Sequence, residues 1–202
     1  DRQLREGLGN QSRDRYWQLY EAVRARHGYV DYLETLQRLR DTGTDAAALA
    51  GVAEFLLAYP FAERLYPGAL DALAHVATLA PVAILSDGDI VFQPRKIRRS
   101  GLWQAVSGRV LVCVHKEEQV EEMQRRFPAR HYALVDDKPV LLAKMKEKLG
   151  ARLTTIWVRQ GHYAQEAGAA AHQPAPGRCI DAIAQLRDFR LADLLAGAHP
   201  AC

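Results

Sequence analysis

Cysteine is scarce in this chain: only Cys113, Cys179 and Cys202 occur among 202 residues, odd in number, far apart and without a Cys-x-x-Cys pair. That pattern argues against a disulfide framework and against a zinc site, which draw on cysteines in sets at short spacing. Cys113 lies in an apolar run and reads as a buried, reduced thiol. Long apolar runs are missing as well, so no stretch suffices to span a bilayer, and no charged-then-apolar leader opens the chain. Nor is there a surplus of one charge. Lys and Arg number 27 against 24 Asp and Glu, a formal charge of +3, which gives no electrostatic case for nucleic acid or an anionic membrane as partner. The densest basic stretch, Arg95, Lys96, Arg98 and Arg99, reads as a solvated helix face. The histidines are scattered, and there is no Gly-x-x-x-x-Gly-Lys-Ser/Thr loop, no His-Glu-x-x-His and no Gly-x-Ser-x-Gly elbow. P-loop, zinc-protease and serine-esterase chemistry are thereby set aside, and the expected location is cytoplasmic.

What is present is enough apolar material, 49% of the chain, for a sizeable core. The first part reads as helical throughout. Tyr16, Leu19, Tyr20 and Val23 recur at helical spacing, as do Leu33, Leu36 and Leu39, and Asp45 caps an Ala- and Leu-rich run that ends before Pro60. From Pro67 the texture changes. A helix over Ala69–Leu79 leads into the apolar run Val82–Leu85 and the polar turn Ser86-Asp87-Gly88-Asp89, then a helix over Gln93–Ser100. The run Val110–Val114 precedes His115-Lys116 and a charged helix over Glu117–Phe127. Tyr132–Val135 precedes Asp136-Asp137 and a helix over Pro139–Leu149, and Leu153–Val158 completes the series. Short apolar runs alternating with helices predict an α/β fold, a parallel sheet covered on both faces. Residues 164–178 read as a surface loop, and the tail from Cys179 to Ala196 as an edge strand and a final helix.

Ligands of open α/β sheets bind beyond the carboxyl ends of the strands. In this chain those positions carry Ser86, then Lys116, then Asp136 and Asp137. A hydroxyl with neighbouring backbone N–H groups can donate to phosphate oxygens, a lysine can neutralise their charge, and a carboxylate pair can hold Mg²⁺. Phosphoryl transfer depends mainly on such positioning and neutralisation. Taken singly, Ser86 is an ordinary turn residue, Lys116 a solvated lysine and Asp136-Asp137 a helix cap; order and location together carry the reading.

Those residues resemble the haloacid dehalogenase-like (HAD) superfamily. Ile84-Leu85-Ser86-Asp87-Gly88 is similar to its second motif, Lys116 in Val114-His115-Lys116-Glu117 to its third, and Asp136-Asp137 in Leu134-Val135-Asp136-Asp137-Lys138-Pro139 to its fourth. Stretches such as Asp87-Gly88-Asp89 through Gly101-Leu102-Trp103, and Arg159-Gln160-Gly161-His162-Tyr163, resemble a bacterial subgroup of HAD-type hydrolases. The resemblance implies a Rossmann-like three-layer core over 65–202 and a helical cap domain over 1–64. It also implies that Ser86, with Asp87 and Gly88, binds phosphate, that Lys116 supports the nucleophile, and that Asp136 and Asp137 position Mg²⁺. The family's first motif, Asp-x-Asp behind an apolar strand, has no counterpart: Asp1 and Asp14 stand in polar, helix-like surroundings. The expectation is a chain that begins downstream of a central strand, with a vacancy or distortion between the strands ending at Ser86 and Asp136. Asp87-Gly88-Asp89 fits Asp-x-Asp literally, but two strands should then precede Asp136 and only one does.

The function expected is a Mg²⁺-dependent phosphohydrolase on a small phosphate monoester, acting through an aspartyl-phosphate and without turnover where the nucleophilic Asp is missing. The alternative is a non-catalytic HAD-like binding or regulatory module. A phosphoacceptor receiver domain is disfavoured, because there the acidic pair precedes the hydroxyl and the lysine. Substrate identity and oligomeric state are not legible. Tyr16, Trp17 and Tyr20 are expected to pack within the cap.

Overall fold

A computed structural model of the chain describes residues 2–161, 164 and 174–196. These fall into two compact units, described separately. One comprises the stretch up to Arg64 with Leu85–Trp103 and Val110–Lys116; the other comprises Leu65–Ile84, Gln104–Arg109 and the stretch from Glu117 onward.

The first unit opens with three helices: α1 (Arg2–His27), α2 (Tyr32–Arg40) and α3 (Ala46–Ala58). Helix α1 is long but interrupted at Gly9, which adopts φ 73° and ψ 169°. Each of the other two starts at an aspartate whose carboxylate satisfies an orphan N–H of the first turn. Asp31 accepts from Glu34 N at 2.8 Å, and Asp45 from Ala48 N at 2.8 Å. Leu4, Tyr16, Leu36, Leu39, Leu49 and Val52 bury one face of each helix in a common cluster, with Leu19 and Tyr20 packed against it. Tyr16 is fully buried there, which pushes its phenol well above the usual range, while Trp17 is exposed and meets the Tyr16 ring edge-on.

The same unit holds strand β1 (Ile84–Asp87) from Leu85 onward, strand β2 (Val110–Cys113) and, after β1, helix α5 (Phe92–Arg99); helix α4 (Ala69–Leu79) belongs to the second unit. Ile84 N donates to Arg109 O at 2.9 Å and Gly88 N to Cys113 O at 3.0 Å, a constant offset that makes the pair parallel. The basic face of α5 differs from its expected solvated role. Arg95 Nε donates to Leu57 O at 2.6 Å, and Arg99 donates to Ala58 O at 2.9 Å and Tyr59 O at 3.3 Å. The orphan carbonyls at the C-terminal end of α3, a negative helix pole, draw these guanidiniums in. A short helix α6 (Leu102–Ala105) precedes β2.

The second unit is built on strands β3 (Tyr132–Asp136), β4 (Leu153–Val158) and β5 (Arg178–Ile180), parallel and in the order β3-β4-β5. Its remaining helices are α7 (Val120–Arg126), α8 (Pro139–Leu149) and α9 (Leu191–Leu195). Pro139 opens α8 at a position where its missing N–H costs nothing. The central strand β4 is buried almost throughout, including Thr154 and Thr155. Both hydroxyls are satisfied: Thr154 Oγ1 donates to Ala196 O at 3.0 Å, and Thr155 Oγ1 accepts from Gly177 N at 2.8 Å.

The expected single sheet is thus two ladders, and among the described residues none joins β1 to β3. Asp1, Cys202, His162-Tyr163 and most of the 164–178 loop lie outside the described residues. Cys113 is half-buried, its thiol donating to Ser86 O at 3.7 Å, whereas Cys179 is disulfide-bonded, against the expectation from spacing. Spacing along the chain does not reveal a pair that folding makes.

Two substitutions test the helical cluster. Leu39→Ala, at a site with no exposed surface, should lower unfolding free energy by about 2–5 kcal/mol. Asp45→Ala should lower it by about 1 kcal/mol. Urea titration followed by circular dichroism reads both.

Candidate functional site

In the first unit the β1–β2 ladder runs to Gly88, so Ser86 and Asp87 are the last residues of β1 and not the first of a turn. The Asp87 carboxylate reaches across to the next segment, where Oδ1 accepts the Lys116 backbone N–H at 2.7 Å. This bond brings the end of β1 and the residue after β2 into one local arrangement. Lys116 itself is buried, at 9% exposure, and opens a 3-10 turn, Lys116–Glu118. The helix expected from Glu117 begins only at Val120, because the Glu117 carbonyl is taken by Lys148 Nζ at 2.6 Å and its carboxylate by Lys144 at 3.0 Å. His115 packs its ring on Gly28, where a Cβ would lie 2.8 Å from Cε1.

Gly88 is the pivot of this loop. Its φ is 141°, and a Cβ there would fall 2.5 Å from Gln93 Cγ, so no side chain fits. Its N–H is committed to Cys113 O, and the N–H groups of Val91 and Phe92 are both committed to Asp89 Oδ1 at 2.9 and 2.6 Å, so these three backbone donors are engaged. The Ser86 hydroxyl makes no hydrogen bond to another described residue.

Asp89 is a residue that sequence reasoning considered only as part of a rejected Asp-x-Asp motif. It is buried at 8% exposure, one oxygen caps the start of α5, and the other, Oδ2, is buried without a partner. Burial pushes its pKa up, as does the Asp31 carboxylate, while the α5 N–H groups and Lys96 oppose the shift. Lys96 is pushed down by burial, with Asp89 opposing. The Tyr29 hydroxyl is pushed up by burial and then by the carboxylates of Asp31, Asp89 and Glu34.

In the second unit Asp136 ends β3 and Asp137 follows it; both are half-buried. Asp136 Oδ1 accepts from Lys138 N at 2.9 Å, and the Asp137 carbonyl accepts from Trp157 Nε1 at 3.3 Å. A Cβ at Gly161 would lie 3.1 Å from both Asp137 Oδ2 and the Tyr66 hydroxyl, so this glycine lets the two polar groups approach. Tyr66 carried no sequence signal, since its neighbour is nearly a hundred positions away. Among the described residues no three His, Cys, Asp or Glu side chains gather as a protein-only metal cage requires. Two consecutive carboxylates with hard oxygen donors still fit Mg²⁺, which takes one or two carboxylates and completes its shell with water and phosphate oxygens.

No family model matches the chain, and no curated protein matches it. The crystal structure of a candidate haloacid dehalogenase-like hydrolase from Burkholderia xenovorans LB400 is similar to it. The two share 48% sequence identity over 92% of this chain and 86% of the other, with a TM-score of 0.85.

The buried carboxyl gives a pH signature. Because the folded-state pKa of Asp89 is raised, its contribution to stability is present at low pH and is lost as pH climbs through that pKa. The stability advantage of the native protein over Asp89→Asn should therefore shrink as pH rises from about 4 upward, past the ordinary carboxylate range. Urea unfolding of both proteins across that range measures it; an advantage that grows with pH contradicts the assignment.

Proposed function

The chain belongs to the haloacid dehalogenase-like hydrolases, and from that membership we propose that it is a Mg²⁺-dependent phosphohydrolase acting on a small phosphate monoester through an aspartyl-phosphate. The observation that carries the reading is the bond from Lys116 N to Asp87 Oδ1, which fixes a buried lysine beside the strand that ends in Ser86 and Asp87. Ser86 donates its hydroxyl to a phosphate oxygen, Gly88 keeps the approach clear of a side chain, and Lys116 offsets negative charge on phosphate and nucleophile. Asp136 and Asp137 hold Mg²⁺, which when bound neutralises phosphoryl oxygens and eases attack on phosphorus. Residues 1–64 act as the cap that selects the substrate.

A second reading, a non-catalytic HAD-like binding or regulatory module, is favoured by one observation. Asp14 lies in α1 with its carboxylate on Arg13 at 2.5 Å, in no position of a strand-end nucleophile.

Calorimetry and turnover of p-nitrophenyl phosphate separate the readings. Asp137→Asn should weaken Mg²⁺ binding about tenfold or more, and Lys116→Ala should weaken inorganic phosphate binding by a similar factor. Both binding events without turnover favour the binding module. Turnover that is unchanged after removal of divalent metal defeats the Mg²⁺-dependent reading.

A further inference from the structure

Helix α5 carries its basic residues on a cavity. Val91, Pro94, Arg95, Arg98 and Arg99 line a space of about 460 Å³, all within the first unit. The three guanidiniums are held in different ways. Arg95 is anchored through Nε to Leu57 O, leaving its Nη groups out of that bond. Arg99 is anchored through Nε and Nη2 to Tyr59 O and Ala58 O. Arg98 lies with its guanidinium 4.2 Å from the centre of the Trp103 ring, so an aromatic face fixes its plane. None of the three pairs with a carboxylate among the described residues, although most other arginines of the helical stretch do.

Capping of α3 explains why Arg95 and Arg99 are placed where they are. It does not explain Arg98, which caps nothing and brings a third like charge to the same space with no carboxylate paired to it. Like charges at close range repel, and the cost falls when an anion sits among them. Guanidiniums whose orientation is already fixed lose little freedom on binding, and their planar forks match two oxygens of one phosphate or carboxylate group. Beside them Val91, 47% exposed, and Pro94 offer an apolar wall.

We propose that this cavity is an anion-binding site for a small ligand with more than one phosphate charge, held by Arg95, Arg98 and Arg99 through its oxygens. The residues are distinct from Ser86, Asp87, Gly88 and Lys116, so the site does not depend on the phosphohydrolase reading. Arg98 is the residue whose loss tests it, because it caps no helix end and meets the Trp103 face in α6 instead.

Titration calorimetry with inorganic pyrophosphate, in buffer freed of metal over chelating resin, is the experiment. The native protein should bind, and Arg98→Gln should lower affinity about tenfold while the protein stays folded, with no more than the small fall in melting temperature that losing the Trp103 contact brings. Arg98→Lys should not restore it, since the charge remains but the fork is lost. In Lys116→Ala, which weakens the Ser86–Lys116 arrangement, the Arg98-dependent binding of pyrophosphate should remain. No binding by the native protein, full affinity in Arg98→Gln, or loss of binding in Lys116→Ala each overturns the proposal, the last by moving the anion to the Ser86–Lys116 arrangement. Citrate binding more tightly than pyrophosphate overturns the choice of phosphate.

Discussion

Parallel pairing is the constraint from which the rest of this molecule follows. Parallel strands cannot be closed by a tight turn, so each pair needs a helical crossover: α5 and α6 between β1 and β2, α8 between β3 and β4. The crossover returns the chain to the same end, and every strand of a unit therefore finishes at the same edge. Polar residues placed just there, Ser86 and Asp87 at the end of β1, Lys116 after β2, Asp136 at the end of β3 and Asp137 behind it, cost nothing in the core. Strand β4, paired with β3 along Leu153–Trp157 and with β5 along Ile156–Val158, commits backbone groups on both sides, which suits its burial.

How far the sequence disclosed this depended on whether a signal was local. Helix α8 and strand β4 lie where Pro139, Gly150 and the apolar run 153–158 place them, since the start, stop and burial signals are all in the segment itself. Strand β1 slid two residues, from an expected start at Val82 to Ile84. Arg109 explains the slide: its backbone carbonyl receives the Ile84 N–H, while its side chain takes the Val82 carbonyl. No local rule contains that. The site behaved likewise. Hydroxyl, lysine and acids could be read from order along the chain, but the Asp87–Lys116 bond, the orphan oxygen of Asp89 and the place of Tyr66 exist only once distant segments meet.

Buried polarity is handled differently in the two units. In the second, the threonines of β4 are satisfied, and Arg178 at the edge strand pairs with Asp193 of α9 at 2.9 Å while its guanidinium lies over Phe189. Asp193 is held below the usual carboxylate range first by the Arg190 N–H and then by Arg178, so the tail is fastened by a charge that prefers to stay ionised. In the first unit burial acts the other way on Asp89 and Lys96, pushing an acid up and an amine down, so that each is nearer neutrality than its type. Tension of that kind is the common companion of sites that meet a ligand.

Gly88 has a consequence for anyone who maps this protein by saturating it with substitutions. Every replacement there must both adopt a backbone conformation hostile to side chains and displace Gln93, so the position will score as intolerant as any reactive group. Its α-carbon nevertheless has no functional group to contribute. A tolerance map would rank Gly88 beside Lys116, and only their geometry distinguishes a residue that must be absent of bulk from one that must be present as charge.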